Sequence, residues 1–133
     1  MKKPVALIME DDFKEQESMK LALESAGFEA VQVYDYNNAR KLMERIANCD
    51  FDLMFCDGVI MEDLDKPKKL VKTTHLVRQA RKANPAMLMI AMSNDKGLRD
   101  EHFAFGEMIA PGHNLTADKK DLVGCFSSLK RSS

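Results

Sequence analysis

Oxygen-bearing side chains follow three short apolar runs of this chain. In chain order, Glu10 and Asp11 follow residues 5–9, Asp57 follows residues 51–56, and Ser93 follows residues 87–92. If these runs are parallel strands of one sheet, their carboxyl ends meet at one edge. Three carboxylates gathered there form a hard-oxygen pocket suited to Mg²⁺. With a hydroxyl beside it, such a pocket is typical of a phosphoryl-transfer site.

The adjacent acids are the strongest part of this pattern. Glu10 and Asp11 repel each other unless a cation lies between them, so a pair at a strand end favours a metal site over two unrelated acids. Asp12 has a different interpretation, because it stands three residues before Glu15 and is typical of a helix N-cap.

Asp57 and Ser93 each allow a second interpretation. Asp57-Gly58 lies between apolar residues and is also a hairpin signal, although a hairpin would interrupt the alternation of strands and helices. Ser93 could equally cap the helix that we predict after it. Neither residue alone identifies a phosphoryl-transfer site.

The elements that position these residues are predicted from hydrophobic periodicity. The predicted strands are 5–9, 29–34, 51–56, 87–92 and 107–110, and the predicted helices are 13–26, 37–48, 69–82, 96–105 and 117–130. Parallel strands need crossover connections, so this order predicts a doubly wound α/β fold, which we expect to form a single domain over residues 1–133. The charged segment from Glu62 to Lys69 is predicted to be a solvated loop.

The composition limits the classes of function. Net charge is −1, with 20 Lys and Arg among 21 acids, so no basic surface for nucleic acid is indicated. The apolar stretch near the N-terminus has about six residues, too few for a signal peptide or a membrane span. We therefore expect a cytoplasmic protein that binds neither membranes nor nucleic acid. The three cysteines share no metal-type spacing and are expected to be reduced.

Together these positions resemble the receiver domain of two-component response regulators, in the chemotaxis-regulator form of the flavodoxin-like fold. The resemblance runs from LIMEDD through AGF, FDLMFCDG and MLMIAMS to IAPG, and so covers nearly the whole chain. It implies a (βα)5 arrangement with a five-stranded parallel sheet of order 2-1-3-4-5. It also implies a signalling domain rather than an enzyme.

The resemblance implies a role for each residue of the predicted site. Glu10 and Asp11 match the acidic pair that binds Mg²⁺ together with the phosphoacceptor and a backbone carbonyl, matched here by Asp57 and Val59. A histidine kinase or a phosphotransfer protein would donate the phosphoryl group to Asp57. Ser93 matches the switch hydroxyl that turns toward the phosphoryl oxygens. The cation is needed because it offsets the repulsion between the aspartate and the incoming phosphate.

Three positions depart from the receiver pattern. Ala110 stands where receivers carry a Lys that pairs with the phosphoryl oxygens, Glu107 stands where they usually have an aromatic residue, and Met61 stands where Pro is common. Loss of a charge-assisted contact to phosphate costs on the order of 2 kcal/mol. We therefore expect phosphorylation of Asp57 to occur less readily, or to signal less well, than in a typical receiver.

Two functions are consistent with these residues. The leading interpretation is a stand-alone receiver that accepts phosphate on Asp57 and acts on an unknown protein target. The alternative is a degenerate receiver that binds its partner without phosphorylation. The expected target surface is the fourth predicted helix with the fifth strand and helix, through which a homodimer could also form.

Overall fold

Residues 3–91 are described by a computed structural model, in which four parallel strands form one sheet and two further strands form a hairpin. In chain order the elements are β1 (Val5–Met9), α1 (Phe13–Ser25), β2 (Glu29–Val33), α2 (Tyr36–Lys41), α3 (Met43–Ala47), β3 (Leu53–Cys56), β4 (Val59–Asp63), β5 (Lys66–Lys72), α4 (Thr74–Ala83) and β6 (Leu88–Ala91). The predicted helices at 96–105 and 117–130 and the predicted strand at 107–110 lie outside the described residues.

The parallel strands lie in the order β2-β1-β3-β6. This order agrees with the first four positions of the predicted 2-1-3-4-5 sheet, and the fifth strand falls outside the described residues. None of the helices within residues 3–91 has the length and apolar composition needed to cross a membrane.

Side chains alternate along each strand and so divide the core into two layers. On one face, Ala6 and Ile8 of β1 pack with Leu53 and Phe55 of β3 against α1. The opposite layer joins alternate strand positions to α2, α3 and α4, and its buried members include Leu7, Met9, Ile46, Met54, Cys56, Leu76 and Val77. Helices therefore cover both faces, as in the predicted doubly wound arrangement.

Helix α1 begins and ends where its sequence indicates. The Asp12 carboxylate accepts the backbone N–H of Glu15 at 2.9 Å, which satisfies one of the donors left over in the first turn. At the other end, Gly27 has a φ of +92°, and the N–H of Phe28 donates to the carbonyl of Leu23 at 2.9 Å. Glycine adopts this left-handed conformation without strain and lets the chain turn into β2.

The predicted strands at 29–34, 51–56 and 87–92 correspond to β2, β3 and β6, within two residues at each end. The helix predicted over 37–48 is interrupted at Leu42. The N–H of Leu42 donates to Ala39, three residues back, at 3.1 Å, which is the tighter bonding of a 3₁₀ turn. The apolar face continues across this interruption, since Ala39 in α2 and Ile46 in α3 are both buried.

The segment from Glu62 to Lys69 is not the predicted loop, and the third predicted helix does not begin at Lys69. Antiparallel β4 and β5 form a hairpin that pairs Ile60 with Val71, and α4 begins only at Thr74. Every residue of β5 except Val71 is exposed. A strand exposed on both faces lacks the alternation of apolar and polar residues by which strands are predicted, and this explains the error.

The turn of the hairpin lies at Leu64-Asp65. The Asp63 carboxylate accepts the N–H of Asp65 at 2.8 Å, and the buried Asp35 carboxylate accepts the N–H of Leu64 at 2.9 Å. Within residues 3–91, β4 pairs with β5 and not with β3. The interpretation of Asp57-Gly58 as a hairpin turn is therefore wrong.

Two leucines on opposite faces of α1 provide a matched test of the core. Leu23 is fully buried, whereas Leu21 is 58% exposed. We expect Leu23→Ala to lower the free energy of unfolding by about 2–5 kcal/mol, because it leaves a cavity between α1 and the sheet. Leu21→Ala should change it by less than about 0.5 kcal/mol. Urea denaturation measures both values, and equal losses would contradict this assignment of faces.

Candidate functional site

The predicted site residues that the structure describes lie at the carboxyl edge of the sheet. Met9 and Cys56 are register partners in neighbouring strands, so Glu10 and Asp57 follow β1 and β3 at the same level. The N–H of Asp57 donates to the carbonyl of Met9 at 3.0 Å, and the N–H of Glu10 donates to the carbonyl of Val33 at 3.1 Å. The backbone therefore brings Asp57 beside the acidic pair.

Gln16, which the sequence analysis did not identify, stabilises this edge. Its side chain is fully buried, and its Nε2 donates to the carbonyls of Ile8 at 3.0 Å, Glu10 at 3.0 Å and Val33 at 2.7 Å. These carbonyls belong to the ends of β1 and β2, so one amide satisfies acceptors from both strands. The sequence feature that could have identified Gln16 is its place on the apolar face of α1, three positions before Met19.

The two adjacent acids occupy different surroundings. Glu10 is buried, and its Oε1 accepts the N–H of Asp12 at 3.1 Å. Asp11 is partly exposed, and its Oδ2 accepts the N–H of Met61 in β4 at 3.0 Å. Burial, followed by repulsion from Glu10, raises the pKa of Asp11 above its ordinary value. The site therefore holds two carboxyls whose negative charges oppose each other.

Thr73 holds the main-chain carbonyls of two successive residues, Asp57 and Gly58. It is fully buried, its hydroxyl donates to the carbonyl of Asp57 at 2.6 Å, and its N–H donates to the carbonyl of Gly58 at 3.0 Å. The thiol of Cys56 donates in turn to Oγ1 of Thr73 at 3.3 Å. These bonds hold the backbone from which the Asp57 side chain projects, a role that the sequence pattern did not indicate.

Of the other predicted site residues, Val59 lies within the part of the chain that the structure describes and Ser93 does not. Val59 begins β4, where its N–H makes a long contact of 3.5 Å to Oδ1 of Asp57, and it is the register partner of Lys72. Ser93, Glu107 and Ala110 lie outside the described residues. Over residues 3–91, no three His, Cys, Asp or Glu side chains are grouped as a metal site.

Comparisons with known proteins give the fold of this chain. No protein-family model and no curated protein matches it. Among solved structures it is similar to a CheY-like response regulator receiver domain protein from Methanospirillum hungatei JF-1, with 20% identity, a TM-score of 0.65, and coverage of 99% of this chain and 100% of that one. It is also similar to the signal receiver domain of a DNA-binding response regulator from Colwellia psychrerythraea 34H, with 15% identity, a TM-score of 0.71, and coverage of 96% and 98%.

A third similar structure is a response regulator protein from Burkholderia pseudomallei with a phosphorylated aspartic acid, a calcium ion and citrate. Its identity to this chain is 12%, its TM-score is 0.61, and the similarity covers 96% of this chain and 74% of that one. Similarities at this level of identity show a shared fold. The chain has the flavodoxin-like α/β fold of receiver domains, which confirms the predicted fold class.

The hydroxyl of Thr73 can be tested by isosteric substitution. We expect Thr73→Val to lower the free energy of unfolding by about 1–3 kcal/mol, because the fully buried Thr73 hydroxyl and its hydrogen bond to the partly buried carbonyl of Asp57 are lost. Thr73→Ser keeps that donor and should cost less, with the loss confined to the missing methyl group. Denaturant titration of the three proteins measures this order, and equal stability of the Val and Ser variants would contradict a role for the hydroxyl.

Because the pKa of Asp11 is raised, we expect this carboxyl to lower the free energy of unfolding as the pH rises and it becomes ionised. The native carboxyl binds its proton more tightly than the unfolded chain does, so this loss of stability is absent below the unfolded pKa and grows as pH rises through the native pKa. Asp11→Asn keeps an acceptor for Met61. It should be more stable than the wild type at about pH 7 and equally stable near about pH 3.

Urea denaturation with a chelator present measures this difference across the pH range. Asp12→Asn is the control, because that carboxylate is exposed and caps α1. An Asp11→Asn protein that is less stable than the wild type at neutral pH would contradict the assigned repulsion.

Proposed function

We propose that this chain is a receiver that accepts a phosphoryl group on Asp57 and acts through protein–protein contacts. The observation that supports it best is the register of β1 and β3, which sets Asp57 beside Glu10 and Asp11 at the carboxyl edge of a receiver fold. This is the edge at which open α/β sheets bind their ligands. The fold alone would not support the proposal, because one fold hosts many functions.

The donor set at this edge is suited to Mg²⁺. Glu10, Asp11 and Asp57 would hold the ion together with the carbonyl of Val59, and all four supply the oxygen ligands that a hard cation prefers. The raised pKa of Asp11 supports this fit, since burial and the charge of Glu10 create a repulsion that a cation would relieve. When bound, Mg²⁺ would neutralise charge on the acids and on the phosphoryl oxygens.

The chain's own residues would carry out the transfer. A carboxylate oxygen of Asp57 attacks the phosphorus of a phosphohistidine on a kinase or phosphotransfer protein, so an O–P bond forms while the N–P bond breaks. The imidazole nitrogen leaves with the bonding electron pair. Thr73 holds the main chain of Asp57 during this step, so that the carboxylate meets the phosphorus in a fixed orientation.

The residue that would respond to the phosphoryl group is Ser93, whereas Glu107 and Ala110 stand where receivers carry an aromatic residue and a Lys. In this proposal the hydroxyl of Ser93 donates to a phosphoryl oxygen. No side-chain cation is available at position 110, and we therefore expect a shorter-lived or weaker signal than a Lys at that position would give. The target surface would be the fourth predicted helix with the fifth strand and helix, in a protein that signals rather than catalyses turnover of a substrate.

Phosphorylation can be measured directly on the intact protein. Incubation with a small phosphodonor and Mg²⁺ should add one phosphate-sized mass to the wild type and none to Asp57→Asn, because the amide cannot form an acyl phosphate. Asp52→Asn is the matched control, since it lies at the opposite end of the same strand and its amide can still accept the N–H of Val5. Omission of Mg²⁺ should abolish the gain.

Two outcomes would contradict this function. A mass gain that persists in Asp57→Asn would place the phosphate on another residue. No gain in the wild type with any donor, while the protein remains folded, would favour the degenerate receiver that binds without phosphorylation.

A further inference from the structure

One edge of β4 bonds to β5, and its other edge lies toward the candidate site. The N–H of Thr73 donates to the carbonyl of Gly58 at 3.0 Å, so these residues form a hydrogen-bonded pair where the hairpin closes. Such pairs alternate with non-hydrogen-bonded pairs along an antiparallel ladder, which makes Ile60 the next residue of β4 that bonds to β5. The register of this ladder shifts only after Met61. The N–H groups of Val59 and Met61 therefore point away from β5.

The acceptors on that side of β4 are carboxylates of the candidate site. Oδ2 of Asp11 accepts the N–H of Met61 at 3.0 Å, and Oδ1 of Asp57 receives a longer contact of 3.5 Å from the N–H of Val59. Two of the acids that would hold Mg²⁺ thus lie where a further strand could pair with β4. The position of the hairpin and the positions of these acids are therefore linked.

A second set of contacts holds the other end of the hairpin. At the turn, the buried Asp35 carboxylate, which also caps α2, accepts the N–H of Leu64 at 2.9 Å. Asp63 accepts the side-chain N–H of Asn37 at 3.2 Å. We call the bond from Met61 to Asp11 the base tie and the bond from Leu64 to Asp35 the turn tie. Each includes one backbone N–H, so the two ties can be observed separately.

A cation at the acid pair would strengthen the base tie. Glu10 and Asp11 repel each other, and movement of Asp11 away from Glu10 would relieve the repulsion but break the bond to Met61. A cation between the acids removes the repulsion while Asp11 stays in place. A carboxylate has about four lone-pair sites on its oxygens, so Asp11 can bind the cation and still accept the N–H of Met61.

We propose that Mg²⁺ bound at the acid pair holds the base of the β4–β5 hairpin closed, so that occupancy of the site is transmitted to this hairpin. This coupling rests on the proposed function, because it uses the same cation site. It is also reciprocal: the factor by which the cation favours the closed base equals the factor by which the closed base favours the cation. Met61 is then a positioning residue that acts through Asp11.

Amide hydrogen exchange of the whole protein, followed residue by residue by NMR, tests the two ties separately. Saturating Mg²⁺ should slow exchange of the Met61 N–H at least about fivefold, because the cation favours the closed base. Exchange of the Leu64 N–H in the turn tie should stay nearly unchanged. In Asp11→Asn, whose side-chain oxygen can still accept the N–H of Met61, Mg²⁺ should no longer slow this exchange. The control Asn37→Ala removes a contact at the turn and should keep the full effect at Met61.

The affinity for Mg²⁺ provides the reciprocal measurement. Met61→Pro removes the N–H that Asp11 accepts, and it costs β4 no bond to β5 because that N–H points away from β5. It should weaken Mg²⁺ binding at least about fivefold, in step with the slowing of exchange at Met61. Met61→Leu keeps the N–H and a side chain of similar size, and should bind Mg²⁺ as the wild type does. Chemical-shift titration with Mg²⁺ measures all three affinities.

The outcomes separate this coupling from the proposed function. If Mg²⁺ binds and Asp57 gains phosphate while exchange at Met61 is unchanged, the coupling is absent and the proposed function stands. Equal slowing at Met61 and Leu64 would also contradict the coupling, since the cation would then stabilise the whole protein rather than the base of the hairpin. Absence of any Mg²⁺ binding would contradict both proposals. If Met61→Pro does not fold, exchange in the wild type and in Asp11→Asn still decides.

Discussion

The register of β1 between β2 and β3 is the constraint on which the candidate site depends. Residues Ala6 to Met9 have no exposed surface, and alternate members belong to different core layers. A slip of one residue would exchange the two layers, so burial on both faces fixes the register strongly. The fixed register brings Asp57 to the level of Glu10 although the two are distant in sequence.

Buried polar side chains hold the loops that leave this sheet. Gln16 satisfies carbonyls at the ends of β1 and β2, Thr73 holds the chain after β3, and Asp35 caps α2 while binding the turn of the hairpin. A buried polar group is costly unless it is hydrogen-bonded, and each of these side chains forms hydrogen bonds with backbone groups where strands, helices and turns begin or end. Asp11 links the site to the hairpin directly, because it belongs to the acid pair and accepts the N–H of Met61 in β4.

The parts of the fold that could be predicted are those whose buried residues produce a recognisable apolar pattern in the sequence, or whose ends carry a capping residue. The near-continuous apolar runs of β1 and β3 and the cap at Asp12 were recognisable for this reason. The hairpin was missed because β5 buries almost nothing. The contact between Asp11 and β4 depends on pairing of segments distant in sequence, which no local pattern specifies. The same contact requires a residue with an N–H at position 61. Met61 meets this requirement, whereas a proline, which is common there in receivers, has no N–H to donate.

The two ends of the hairpin are in direct contact, because the N–H of Thr73 donates to the carbonyl of Gly58. The chain therefore leaves the sheet region and returns to nearly the same point. Because its ends adjoin, the hairpin can be lengthened or shortened at its exposed turn, Leu64-Asp65, while β3 and α4 keep their places. A change of length at the turn would leave the bond between Met61 and Asp11 in place, so the hairpin would stay linked to the acid pair.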